Sequence, residues 1–317
     1  MSVRNNIVTI GETMALLHSQ TPGPLAHSGA LNLGIGGAES NFAVAVHRLD
    51  AAATWIGRIG SDSLGEKVVR ELRAEGLTVH AVVDVDAPTG LMIKERRTSD
   101  ASRVWYYRAG SAGSRLSPAD LPPDVIETAA LLHVTGITPA LSTSAAAAIT
   151  TAIDRASHAG VPVSFDVNHR SSLWRDRDPT VLYRQLAARA TIVFAGYDEA
   201  RLIAPDKSGV SDIACAIADL GPSQVVIKLG SEGCYAMADG DSASSAAVPI
   251  HPVDTVGAGD AFVAGYIAEY VAGHDLETRL RTAVAVGAFA CLTPGDWEGM
   301  PWRRELGLLQ AAEPVSR

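Results

Sequence analysis

The sequence predicts an α/β fold built on a mostly parallel central sheet. Short apolar runs rich in Val and Ile alternate with helical stretches of roughly ten to fifteen residues, the signature of βαβ units. Strings rich in Gly and in polar residues follow several of those runs, where such a sheet places its sites, beyond the carboxyl ends of the strands. The 317 residues are 47% hydrophobic, ample for a large globular core.

Taken in order, the β-branched and apolar runs Ile7–Ile10, Thr54–Ile59, Leu131–Thr135, Val161–Val167, Thr191–Phe194 and Gln224–Leu229 are the strands, with Cys234–Ala238 as a later partner. Helical patterns cover Glu39–Leu49, Leu64–Glu75, Ser144–His158, Asp212–Leu220, Ala258–Val271 and Glu277–Leu292. The Ala-rich run Ala145–Ala148 is good helix former, and there is no internal repeat. Two stretches break the alternation. His18–Leu33 is rich in Pro, Gly and polar residues, while Gly90–Arg97 and Arg103–Arg108 alternate like a β-hairpin. Together they read as a small β-sheet lid, about residues 13–35 and 88–109, on a single domain spanning 1–317. A surface hairpin without a role would have the same pattern.

Charge and cysteine usage exclude several classes. With 26 Lys+Arg against 35 Asp+Glu the net charge is −9, which disfavours a nucleic-acid surface. The one basic cluster, Lys94-Glu95-Arg96-Arg97, is interrupted by a carboxylate and reads as a solvated strand end. Cys215, Cys234 and Cys291 lie far apart without Cys-x-x-Cys spacing, so they read as small buried hydrophobes in a reducing cytoplasm. No apolar span approaches membrane length, and Glu12 interrupts the short run after Ile7, against a signal peptide.

The most informative string is Asp254-Thr255-Val256-Gly257-Ala258-Gly259-Asp260-Ala261-Phe262. A Gly-Ala-Gly turn precedes a helix whose Val263, Tyr266, Ile267, Tyr270 and Val271 form an apolar stripe for one buried face. Free backbone N–H groups and the positive end of the helix dipole suit a transferring phosphoryl group. Asp260, in the first turn, is placed to take the proton of an attacking hydroxyl. An isolated Gly-x-Gly-Asp is ordinary chemistry of a helix start.

The whole string resembles the second signature of the pfkB (ribokinase-like) family of sugar and nucleoside kinases. Gly36-Gly37-Ala38-Glu39-Ser40-Asn41-Phe42 and Trp55-Ile56-Gly57-Arg58-Ile59-Gly60-Ser61-Asp62 resemble that family's N-terminal patterns, and the likeness extends from Ile7 to about Pro294. The resemblance implies a ribokinase-like three-layer sandwich with a lid that pairs in a homodimer. It implies an anion hole of Gly257, Ala258 and Gly259, with Asp260 as catalytic base. ATP and Mg²⁺ are the implied cofactors. Asn168, Thr255, Gly257, Gly259 and the segment Lys228-Leu229-Gly230-Ser231-Glu232-Gly233, chiefly Lys228, Gly230 and Gly233, would contact the nucleotide, with an apolar wall around Ala283–Ala290. Asp254 and the Thr255 carbonyl would hold a monovalent cation such as K⁺, as in some relatives.

For the acceptor, Tyr106-Tyr107-Arg108 and Asp166-Val167-Asn168-His169-Arg170 bring two arginines and a tyrosine toward one anion, which favours a sugar acid. These strings resemble the 2-keto-3-deoxygluconate kinases of the family. By that resemblance Tyr106, Arg108 and Arg170 hold the carboxylate, Gly37 and Asn41 the hydroxyls, and the product is the 6-phosphate. Two positions depart from the pattern: Met92 replaces a lid tyrosine, and Gly196 replaces the Asn of the Asn-x-x-Glu element whose Glu199 serves Mg²⁺. A neutral-sugar kinase of the fructokinase or ribokinase type and a non-catalytic sugar sensor are the alternatives. A Rossmann oxidoreductase is excluded, because no Gly-x-Gly-x-x-Gly follows the first strand.

Overall fold

The structure, a computed structural model, describes residues 5–19, 21–98, 102–175 and 177–310. Its strands are β1 (Asn6–Ile10), β2 (Met14–His18), β3 (Asn32–Gly36), β4 (Ala52–Gly60), β5 (Thr78–Asp84), β6 (Leu91–Arg96), β7 (Ser102–Tyr107), β8 (Leu131–Thr135), β9 (Val163–Asp166), β10 (Ile192–Gly196), β11 (Gln224–Lys228), β12 (Cys234–Ala238) and β13 (Asp241–Ser245). Its helices are α1 (Ala38–Arg48), α2 (Ser63–Ala74), α3 (Thr138–Leu141), α4 (Thr143–His158), α5 (Ser171–Trp174), α6 (Thr180–Ala187), α7 (Tyr197–Ile203), α8 (Val210–Ala218), α9 (Ala258–Val271) and α10 (Leu276–Ala290).

Nine strands form the main sheet in the order β13-β12-β11-β10-β9-β8-β1-β4-β5, parallel from β11 to β5 and antiparallel at β11-β12-β13. Alternate residues of each central strand enter different cores. Val8, Ile56, Leu132, Val193 and Val225 pack with α4, α6, α7 and α8. Ile7, Trp55, Leu131, Phe194 and Val226 pack with α1, α2, α9 and α10. Two-sided burial explains why these strands read as continuous apolar runs. The result is the three-layer sandwich expected.

The second sheet, β3-β2-β6-β7, pairs β2 parallel to β6 and antiparallel to β3, with β6 and β7 as the expected hairpin. Cross-strand partners share a face. Met14, Leu16, Met92 and Val104 form a small cluster on the inner face. The stretch expected as the lid includes residues 20 and 99–101, which lie outside the described residues.

Four expectations need correction. Lys94 is no solvated strand end: it sits on the inner face, 5% exposed, because two carboxylates lie beneath it. Cys215 is exposed on α8; only Cys234 and Cys291 are buried, and all three are free. The α9 helix is buried continuously from Asp260 to Glu269 rather than along one stripe, since it is clasped between α1, α10 and the sheet. Strands β5 and β13 and helices α3, α5, α6 and α7 also went unanticipated, whereas β2 and β3 fall within the β-sheet stretch expected over 13–35. β5 is a half-exposed edge, and β13 (Asp-Ser-Ala-Ser-Ser) is a strand only because β12 pairs with it. No helix among the described residues is long and apolar enough to cross a membrane.

Candidate active site

The carboxylate of Asp260 is held by two amides from distant elements. Asn41 of α1 donates Nδ2–H to Oδ2 at 3.0 Å, and Asn168, just past β9, donates Nδ2–H to Oδ1 at 3.0 Å. Asn168 adopts φ 39°, a left-handed conformation that Asn tolerates better than most residues. Burial is the largest influence on Asp260 and raises its pKa. The Asn41 bond and the charges of Arg170 and Lys228 pull it down, Glu39 pushes it up, and the net result is above the ordinary carboxylate value. A fixed carboxylate with raised basicity is what a general base requires.

The turn before it is set by Gly257, the N-cap of α9, at φ 77°. A side chain there would be strained and would collide with the carbonyl of Asp296. Among the described residues no backbone carbonyl accepts from the N–H groups of Gly257 or Gly259, whereas Ala258 donates to the Thr255 carbonyl at 3.3 Å. The three free donors expected are therefore two. Next to them stands Lys228, at the end of β11, its Nζ donating to both oxygens of Asp166 at 2.8 and 2.9 Å. Burial alone would lower the pKa of this ammonium, but the charges of Asp166, Glu199 and Asp260 outweigh it and raise it. A permanent cation thus lies beside the turn.

From Lys228 and Gly259 a cavity of about 470 Å³ runs outward, walled by Val248, Ile250, Phe262, Val284 and Ala288, with Thr255 and Gly230 also lining it. An apolar slot of this size ending in a cation and free N–H groups suits a purine nucleotide, base outward and phosphates inward. Gly233 lines it too; at φ 106° it also makes the β11–β12 turn, where a Cβ would strike the Ser245 carbonyl.

On the acceptor side, Gly37 caps α1 and Asn41 sits one turn on, committed to Asp260. Arg170 is exposed and, among the described residues, donates only to the His169 carbonyl, at 3.2 Å, with its charge acting on Asp260. Arg108 is placed differently. It is buried, with Nε 2.8 Å and Nη2 2.6 Å from Glu12 Oε2, and its guanidinium lies 5.8 Å from the Tyr106 ring centroid. Tyr106 itself is exposed.

The pattern of the pfkB family carbohydrate kinases matches residues 4–303. The chain is 35% identical over 312 residues to a 2-dehydro-3-deoxygluconokinase of Bacillus subtilis, covering 96% of this chain and 95% of that protein. It is 36% identical over 311 residues to the enzyme of that name from Thermoproteus tenax, covering 95% and 92%. The crystal structure of a PfkB protein from Polaromonas sp. JS666, 34% identical, superposes with a TM-score of 0.86 over 95% of this chain and 99% of that one. The chain belongs to the pfkB family of carbohydrate kinases.

ATP and Mg²⁺ are expected for a kinase of this family, and the residues present fit both. Glu199, in the first turn of α7, accepts from the N–H groups of His169 and Gly196 at 2.7 Å each, and it lines a second opening with Asp198, Lys228 and Gly230. Both oxygens already hold one donor, which suits a carboxylate that meets a hydrated ion through water. Gly196 in place of Asn removes the N-cap side chain, while Glu199 still accepts from the Gly196 N–H at 2.7 Å. A monovalent cation does not fit at Asp254, because its carboxylate already accepts from the ammonium of Lys94 at 2.5 Å.

Sequence reasoning missed four buried groups in this kinase. Glu12 fixes Arg108 and accepts from Ser111 Oγ. Glu39 accepts from Thr135 and Thr138 at 2.6 and 2.7 Å, and burial raises its pKa. Lys94 and Asp296 meet across segments far apart in the chain. Only Glu39, inside the di-glycine string, carried a signal in the sequence.

Proposed function

We propose that this kinase transfers the γ-phosphoryl group of ATP to the terminal hydroxyl of a 2-dehydro-3-deoxy sugar acid, 2-dehydro-3-deoxygluconate, giving its 6-phosphate. The observation that carries the acid is Arg170: an exposed guanidinium acting on the Asp260 carboxylate, with no carboxylate partner among the described residues. Such a group is available to a substrate anion. The names of the relatives from B. subtilis and T. tenax support the same sugar.

Asn41 and Asn168 aim Asp260 so that one oxygen takes the hydroxyl proton as the sugar oxygen bonds to the γ-phosphorus and the bond to ADP breaks. The N–H groups of Gly257 and Gly259 and the Lys228 ammonium stabilise the charge that spreads over the phosphoryl oxygens. Mg²⁺, when bound near Glu199, supplies further neutralisation of the phosphates. The second sheet, closing with Tyr106 and Met92 inward, keeps water from competing as acceptor. Its outer face carries exposed Leu33, Trp105 and Tyr107, an apolar patch suited to the same face of a second copy, and so to a homodimer.

The test is ADP release with 2-dehydro-3-deoxygluconate, its galacto epimer, gluconate, fructose, ribose and adenosine as acceptors. A preference for the keto-deoxy acids is expected. A preference for fructose or ribose would instead establish the neutral-sugar reading.

A further inference from the structure

Three segments meet at one buried ammonium. Lys94, on the inner face of β6, reaches across to the loop before α9 and the loop after α10. Its Nζ lies 2.5 Å from Asp254 Oδ2, 3.7 Å from Asp296 Oδ1 and 3.5 Å from the Gly295 carbonyl. Asp254 also accepts from the N–H groups of Val256 at 3.2 Å and Gly295 at 3.3 Å. The backbone of Asp296 packs directly on Gly257, so the loop that Lys94 holds is the wall against which the anion-hole turn rests. Two carboxylates buried without a cation would repel each other there and also repel the incoming phosphates.

We propose that Lys94 is a tethered cation and a positioning residue for phosphoryl transfer: it locks the Gly257–Gly259 turn to the second sheet and makes the kinase independent of K⁺. A free cation at Asp254 would be set by the medium. An ammonium on β6 arrives only when the second sheet is seated, so lid placement and anion-hole geometry become one event. The raised pKa of Asp296, pushed up to about 7 chiefly by burial and lowered by Lys94, is consistent with a site short of positive charge.

The experiment compares wild type, Lys94→Ala and Lys94→Arg in potassium, ammonium, sodium and tetramethylammonium salts at one ionic strength. The acceptor is whichever sugar of the panel reacts best. Wild type should run equally well in all four. Lys94→Ala in tetramethylammonium should lose roughly ten- to a hundred-fold in kcat with the KM for ATP nearly unchanged, the share of a charge-assisted hydrogen bond. Ammonium or potassium should restore much of that loss, and Lys94→Arg should retain most of the rate. Wild-type dependence on potassium, full Lys94→Ala activity in tetramethylammonium, or a deficit that no small cation relieves would each overturn the proposal. If Lys94→Ala does not fold, the wild-type salt series decides alone. The inference rests on kinase activity but not on the sugar acid. The melting temperature of Lys94→Ala, which should rise in ammonium relative to tetramethylammonium, reads the site without any sugar.

Discussion

Asn41 and Asp260 stand 219 positions apart in the chain and meet at 3.0 Å in the buried centre of the active site. That hydrogen bond makes α1, reached through the di-glycine turn, the support of a carboxylate on α9. It also tunes the carboxylate, because a donor to the charged form lowers the pKa that burial raises. Removing the donor in Asn41→Ala should move the acid limb of the kcat/KM profile upward by about one to two pH units, the worth of one charge-assisted bond. The wild-type limb itself should lie above the ordinary carboxylate range. A pH–rate series on both proteins checks this, and identical limbs would show that Asn41 does not act on the base.

Asp260→Asn is nearly isosteric and removes the carboxylate proposed as the base, while its amide can accept from only one of Asn41 and Asn168 unless the other flips. It should lower kcat by about 10²–10⁴ while nucleotide binding survives, the usual share of a positioned proton acceptor. Saturation kinetics together with ATP-binding calorimetry separate the two effects. Turnover within threefold of wild type, a barrier change of about 0.7 kcal/mol or less, would mean that another group accepts the proton.

Asp296 gives a stability prediction with a definite sign. Its folded-state pKa, about 7, exceeds the ordinary 3.8, chiefly through burial. The folded protein therefore binds a proton that the unfolded chain releases between those values, and wild-type stability falls as pH rises through that window. Asp296→Asn cannot lose that proton. The melting temperature of the variant minus that of wild type should therefore climb from pH 4 to pH 7 and level off above. A difference that stays flat with pH would place Asp296 in its charged form throughout.

How much of this was legible in the sequence depended on whether neighbours in space were also neighbours in the chain. The Gly257–Asp260 turn is local, so its geometry as a helix start could be read from one string. The central strands were legible because both faces are buried, and composition alone marks them. Lys94 and Glu12 were not, since what buries each is a partner from a remote segment: Asp254 for one, Arg108 for the other. A lysine in a run of charges looks like solvent-exposed strand until the opposing carboxylates are known. β13 failed for the same reason, being a strand by pairing rather than by propensity.

The two arginines expected to share the substrate carboxylate should behave differently, because their surroundings differ. Arg170 is exposed and free of carboxylates among the described residues, so Arg170→Ala should leave stability nearly unchanged. It should cost a sugar acid about ten- to a hundred-fold in kcat/KM while sparing a neutral analogue that never receives the bond. Arg108 is bound to Glu12 with both groups buried. Arg108→Ala strands that carboxylate, and breaking a buried pair from one side costs about 3–5 kcal/mol, so the variant should melt lower and lose activity on acid and neutral sugars alike. Arg108→Ala combined with Glu12→Gln removes the stranded charge and should recover much of the stability. If that double variant then discriminates against the acid as Arg170→Ala does, Arg108 also faces the substrate; if it treats both sugars equally, its part is to hold the second sheet onto the body through Glu12. Equal loss on both sugars in Arg170→Ala would remove the main physical support for an acidic substrate.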